Sequence, residues 1–305
     1  MSGDTGLVSA IQFYIVDVFA VGRYTGNQLA VFLNAENLSA TQMQLLAREM
    51  NYSETTFVLG SCPQANSGGW RVRIFTPAAE IPFAGHPTLG TAAAIDRFVA
   101  TTPQSTLQLD LAVGAIAVRI DRAAETVWMR QPQPEFTAPL TADRIAQLAA
   151  VLGLEPAEID ARFPVQAVST GLPFFIVPLK TLAALRSIRT NREAYFDFIA
   201  ETTAKNILAF CPQTRQPENQ LSVRVFCDYL GIPEDPATGS ANGCLAAYLA
   251  KHEYFGTAAA AVRVEQGHEM QRPSLLFLEA AKTATGIAVS VGGQVVPIAR
   301  GELLL

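Results

Sequence analysis

The sequence predicts an α+β protein built as two similar halves, each a set of short strands around one apolar, alanine-rich helix. Three observations carry this expectation. The chain of 305 residues exceeds one comfortable hydrophobic core, since single cores stop growing near ~250–300 residues, and it suffices for two. Short alternating runs bounded by Gly, Pro and Asn recur along it, with helical patterns between them. Finally, Glu80-Ile-Pro-Phe-Ala-Gly85 is echoed as Glu234-Asp-Pro-Ala-Thr-Gly239, 154 residues later (234 less 80), and each copy leads straight into an alanine-rich helix.

The elements follow in order. Ile11 to Phe19 and Leu29 to Leu33, joined through Gly26-Asn27, read as an opening hairpin. Ser39, three residues before Gln42, forms a capping box ahead of Met43, Leu46, Ala47 and Met50, so a helix begins there and ends near Asn51. Glu54 to Leu59 and Arg71 to Phe75 are strands by their β-branched and aromatic content, and His86 to Phe98 is helix. Leu107 to Leu111, Ala115 to Ile120 and Thr126 to Met129 add three strands. Pro132, Pro134 and Pro139 exclude continuous helix or central strand from Arg130 to Leu140, which places a boundary there: 1–130 and 131–305, with the last strand, about 294–305, able to pack back on the first domain. The second half brings helices near Ala142 to Leu152, Leu182 to Ile188, Arg192 to Thr202 and Ser240 to Lys251. Its strands are Ile207 to Cys211, Leu221 to Cys227, Ala261 to Glu265, Ser274 to Glu279, Gly286 to Val291 and Gln294 to Ala299, the last two joined by a Gly292-Gly293 hairpin turn.

Composition narrows the function. Apolar residues make up 50% and charged ones 16%, which demands extensive burial and excludes disorder as the main state. A net charge of −5 without basic runs offers nucleic acid no footprint. Uncharged stretches at Phe163 to Leu179 and Thr283 to Ala299 are broken by proline or paired glycines, so no membrane span is expected, and no basic residue precedes Arg23 to start a secretory signal; a cytoplasmic protein is expected. Cys62, Cys211, Cys227 and Cys244 form no CxxC pair and read as packed residues, with Cys244 the one nearest either glycine loop. His252-Glu253 fails the HExxH pattern at Gly256, and no metal is expected.

The glycine loops are where chemistry is expected. Amides at a helix start lack intrahelical acceptors and carry the positive end of the helix dipole, so they bind carboxylates and developing oxyanions. Gly85 and Gly239 let a ligand approach that backbone, and two such starts facing one cleft would hold a small anion. His86 follows Gly85 and precedes Pro87; Asp235 and Ser240 occupy the corresponding rim in the second half. Glu54 shares a strand face with Thr56 and Val58, where partial desolvation suits it to acid/base work.

The sequence resembles the phenazine-biosynthesis PhzF-like family, of the diaminopimelate-epimerase-like fold. The resemblance rests on Gly26-Asn-Gln-Leu-Ala-Val31, Ser53-Glu-Thr-Thr-Phe57, Phe75-Thr-Pro77, Glu80-Ile-Pro-Phe-Ala-Gly-His-Pro87 and Glu234-Asp-Pro-Ala-Thr-Gly-Ser-Ala241, in family order, with Gln266-Gly267, Arg272-Pro-Ser274 and Val291-Gly-Gly293 in support. It implies two pseudo-symmetric domains, each a β-barrel-like sheet wrapped around a central helix, with one active site in the cleft. By the same resemblance Glu54 is the catalytic proton shuttle, His86, Asp235 and Ser240 orient the substrate, Gly85 and Gly239 donate backbone amides, and Asn27 joins the ligand-binding set. It further implies an isomerase of a small anionic substrate, working without cofactor, commonly as a homodimer.

Two departures touch the substrate. Gln28 stands where the family often has proline, and Asn242-Gly243 where a histidine is frequent. Neither loop carries a cysteine, which disfavours the two-thiol racemases of the same fold. An epimerase with carboxylate bases, a lyase and a non-catalytic small-anion binder remain alternatives to the isomerase.

Overall fold

The computed structural model describes residues 11–61 and 69–304. Its first half runs β1 (Ile11–Val18), β2 (Asn27–Phe32), α1 (Ala40–Met50), β3 (Glu54–Ser61), β4 (Trp70–Phe75), β5 (Glu80–Ile81), α2 (Gly85–Phe98), β6 (Thr106–Leu111), β7 (Gly114–Asp121) and β8 (Thr126–Arg130). Then come β9 (Glu135–Phe136), α3 (Ala142–Leu152), β10 (Gln166–Ser169), β11 (Pro173–Pro178), α4 (Leu182–Ser187), α5 (Arg192–Ile199), β12 (Asn206–Cys211) and β13 (Leu221–Cys227). The chain closes with β14 (Ile232–Asp235), α6 (Gly239–Lys251), β15 (Ala259–Gln266), β16 (Ser274–Thr283), β17 (Gly286–Gly293) and β18 (Val295–Leu303).

Strand pairing repeats between the halves. β1 and β2 form an antiparallel pair, β3 lies parallel to β2, β4 antiparallel to β3, β5 antiparallel to β4, and β6 parallel to β4 before β6, β7 and β8 meander. β10 to β17 reproduce every one of these senses: β10 with β11, β11 parallel to β12, β12 with β13, β13 with β14, β13 parallel to β15, then a meander. The flanking strands are exchanged. β9 pairs with β10, whereas β18 runs back along β1 from Val18↔Val295 to Ile11↔Leu303, and β17 joins β8 across the seam.

Local chemistry explains the elements that position the site. The capping box of α1 is present: Ser39 Oγ accepts from the Gln42 amide at 3.2 Å, Gln42 Oε1 accepts from the Ser39 amide at 2.9 Å, and Asn51 ends the helix in the left-handed region. α2 and α6 are apolar on nearly every side and therefore must be enclosed. α2 is wrapped by β1, β2, β3, β6, β7 and β8, and α6 by β10, β11, β15, β16 and β17. Both helices join one continuous core, with smaller clusters beneath α1 and beneath α3 to α5.

The Gly292-Gly293 hairpin turn is corrected: both residues lie inside β17, Gly292 paired with β16 and β8 and Gly293 with β8, and β18 turns away to β1. The glycines are there for close packing. A methyl at Gly292 would come within 2.3 Å of the Trp128 ring, and one at Gly293 within 2.5 Å of Phe19. The proline-rich segment after Arg130 carries the two-residue strand β9, and the interrupted apolar stretch at Phe163 to Leu179 holds β10 and β11.

Candidate active site

The two glycine loops deliver the starts of α2 and α6 to one place. A methyl built on Gly85 would stand 3.5 Å from the Ser240 amide nitrogen and 3.6 Å from Gly239 Cα, so the helices meet end to end with their positive dipole ends converging. Neither helix is capped by a side chain: the N-cap residues, Ala84 and Thr238, make no such bond. The paired glutamates of the echo have a structural role. Glu80 forms a two-pronged ion pair with Arg73 of β4, and Glu234 forms its equivalent with Arg224 of β13.

Beside the helix starts lies a cavity of about 500 Å³. Glu54, His86, Asp235, Ser240, Gly85 and Gly239 all line it, although residues 54 and 240 are far apart in sequence. Glu54 reaches it because β3 turns one face toward α2: Thr56, on that same face, shares a 2.8 Å hydrogen bond with Thr91 of α2, whereas Phe57 packs into the outer cluster under α1. Asn27 lies behind the wall. Its side-chain amide donates to Asp235 Oδ1 at 2.9 Å and to the Ala237 carbonyl at 3.1 Å, and lies 3.4 Å from His86 Nδ1. One first-half residue thus holds the second-half rim. The turn carrying Asn27 is pinned in return by Arg272, which donates to the Gly26 and Thr25 carbonyls and pairs with Asp17.

Two polar atoms stand out. Glu54 Oε2 and His86 Nε2 lie 3.4 Å apart, buried, and neither finds a hydrogen-bond partner among the described residues. Such groups are costly unless a ligand satisfies them. Burial, reinforced by the Asp235 charge, pushes the Glu54 carboxyl up to about 8. Burial likewise raises Asp235 to about 6 against its bonds from Thr238 and Asn27, and lowers His86 to about 3, leaving the imidazole uncharged. A carboxyl that titrates close to neutrality can take a proton and return it.

Sequence reasoning missed several wall residues. Arg130 ends β8 at the cavity, and Phe83, Ile116, Met129, Phe174 and Ile232 supply apolar surface. Cys227 also lines the cavity, because β13 and β14 pair as Cys227↔Ile232. The cysteine at the cavity is thus Cys227, while Cys244, the nearer to a glycine loop in sequence, is fully buried one turn inside α6 as expected, touching Thr170 and the Leu172 carbonyl. Cys62 lies outside the described residues. No spacing in the sequence marks Cys227; only the return of β14 does.

Thiolate chemistry is nonetheless unfavourable here. Burial, then the charges of Asp235 and Glu54, push the Cys227 thiol well above its usual range, and burial raises Cys244 to about 11. Cys227→Ala and Cys244→Ala are each expected to keep turnover within a few-fold of the parent, with a stability cost of about 1 kcal/mol for the void. Loss of turnover in the folded variants, together with inactivation of the parent by iodoacetamide, would contradict this.

Comparison with known proteins gives a consistent picture. The profile of the family described as phenazine biosynthesis-like protein matches residues 16–301. The trans-2,3-dihydro-3-hydroxyanthranilate isomerase of Pseudomonas chlororaphis is 38% identical over 96% of this chain and 99% of its own length. Among solved structures, a Bacillus anthracis phenazine biosynthesis protein of the PhzF family superposes with a TM-score of 0.87 at 27% identity, covering 97% of this chain and 99% of that one. A predicted epimerase from Pseudomonas aeruginosa gives a TM-score of 0.79 at 34% identity with the same coverage.

Proposed function

The chain belongs to the phenazine biosynthesis-like protein family, and from that premise we propose that this isomerase moves a proton between two carbon atoms of a small carboxylate-bearing substrate, with Glu54 as the shuttle. The substrate carboxylate sits at the joined helix starts, where Gly85 and Gly239 admit it to free amides. Glu54, in its ionised form, removes a proton from carbon, and the electron pair left behind spreads into the conjugated system of the substrate. Amide dipoles and the neutral His86 stabilise the charge that develops. The same carboxyl then returns the proton to a second carbon, so one C–H bond breaks, another forms, and no oxidant or reductant is needed. Ser240 and Asp235 orient the polar groups of the substrate.

The reading rests on a single observation, the unpartnered Glu54 Oε2 beside His86 Nε2 in the wall of that cavity. Isomerisation is favoured over epimerisation by the state of the other carboxylic acid. Epimerisation by two bases needs a second acid/base group on the opposite face of the carbon, whereas Asp235 has both oxygens engaged, one by Asn27 and one by Thr238. The working unit is proposed to be a homodimer in the cytoplasm, on the strength of the family resemblance; among the described residues no helix is long and apolar enough to cross a membrane.

The substrate of the Pseudomonas chlororaphis relative is the probe for this proposal. Incubated with trans-2,3-dihydro-3-hydroxyanthranilate, the protein is expected to consume it and yield a product of equal mass with a hydrogen relocated, followed by NMR. Absence of any consumption above the uncatalysed rate would overturn the proposal.

A further inference from the structure

Building on that reading of the site, we propose that Arg130 selects the substrate: it binds a second anionic group, so the chain's own substrate is an apolar-bodied dianion rather than a monoanion. Among the described residues that line the cavity, Arg130 is the only Lys or Arg. Burial fixes which end it occupies. Met129 beside it, which also lines the cavity, is 1% exposed, whereas Arg130, the last residue of β8, is exposed, which puts it on the solvent side of the cavity. His86 and Asp235, by contrast, are 6% and 8% exposed at the closed end. The first anionic group belongs to the helix starts at that closed end, so a second group reaching Arg130 must lie at the far end of the ligand.

The surroundings of Arg130 support a ligand role over a structural one. Among the described residues its guanidinium makes no hydrogen bond or ion pair, unlike those of Arg73, Arg162, Arg224 and Arg272, each tied to a carboxylate. The rim around it is apolar: Val113, Leu172 and Leu230 line the same cavity and are 55%, 37% and 50% exposed. A substrate body lying between these side chains would displace water from the guanidinium and strengthen its pairing with an anion. A cavity of about 500 Å³ has room for such a molecule.

Competitive inhibition tests this against turnover of trans-2,3-dihydro-3-hydroxyanthranilate, with benzoate as the monoanion and isophthalate and terephthalate as dianions. In the parent the better dianion is expected to inhibit about tenfold more tightly than benzoate. Arg130→Met should bring that ratio to about one, and Arg130→Lys should keep most of it. A parent ratio near one, or a ratio that survives Arg130→Met, would overturn the role of Arg130 while benzoate inhibition leaves the site itself standing. If neither monoanion nor dianion competes, the reading of the site fails and this inference falls with it.

Discussion

Glu54→Gln is expected to give a folded protein that still binds small carboxylates and turns over its substrate ~10²–10⁴-fold more slowly than the parent. The amide nearly matches the carboxyl in shape, so the wall beside His86 and the end of β3 should persist, but it cannot accept a proton from carbon. Binding should survive because the carboxylate-holding amides belong to α2 and α6 rather than to β3. The fall should therefore appear in kcat, with KM changing little, which marks an interaction made only in the transition state. Turnover within a few-fold of the parent would remove Glu54 from the mechanism.

The same substitution is expected to stabilise the fold at alkaline pH. Below about pH 4.5 the Glu54 carboxyl holds its proton in the folded and unfolded chain alike, and ionisation costs nothing. As pH rises from there toward about 8, the unfolded chain ionises while the folded chain keeps its proton, so stability falls until the folded carboxyl also ionises. The loss is complete above about 8. Each tenfold change in the ionisation equilibrium is worth about 1.4 kcal/mol, which sets an upper bound near ~5 kcal/mol, and relaxation and water penetration around a buried charge reduce it to roughly 1–3 kcal/mol. Glu54→Gln removes this penalty. Its melting temperature should exceed that of the parent by roughly 2–5 °C at pH 8.5, and the two should converge near pH 4.5. Parallel curves over this range, or a more stable parent at pH 8.5, would show that Glu54 is not held in a desolvated state.

Much of the site was legible because its parts are local. A glycine before a helix, a histidine or serine at its second position and a glutamate at the head of a strand are each readable within a few residues, and the echo of the two loops suggested that they meet. What escaped depends on distant chain. Cys227 reaches the cavity through its pairing with Ile232, and Arg130 through the end of β8; neither carries a local signature. Asn27 was placed with the ligand-binding groups, yet it lies behind the wall and tethers Asp235, a relation set by a contact across 208 residues. Gly292-Gly293 was misread because paired glycines between strands suit both a tight turn and a sheet covered by large rings, and only Trp128 and Phe19 decide between them. β10 and β11 were hidden by Pro164, Gly171 and Pro173, although a proline is tolerated at the first residue of a strand, where Pro173 sits.

The central claim, that Glu54 carries a proton from one carbon of the substrate to another, is tested most directly by turnover in heavy water. Parent and Glu54→Gln would be compared with deuterium counted at every carbon of the recovered substrate and product. The account predicts deuterium at the receiving carbon in the parent, up to one atom per turnover and less where the shuttled proton returns before exchanging, with entry into carbon slowed ~10²–10⁴-fold in Glu54→Gln. Deuterium entering carbon at the same rate in both proteins would contradict it.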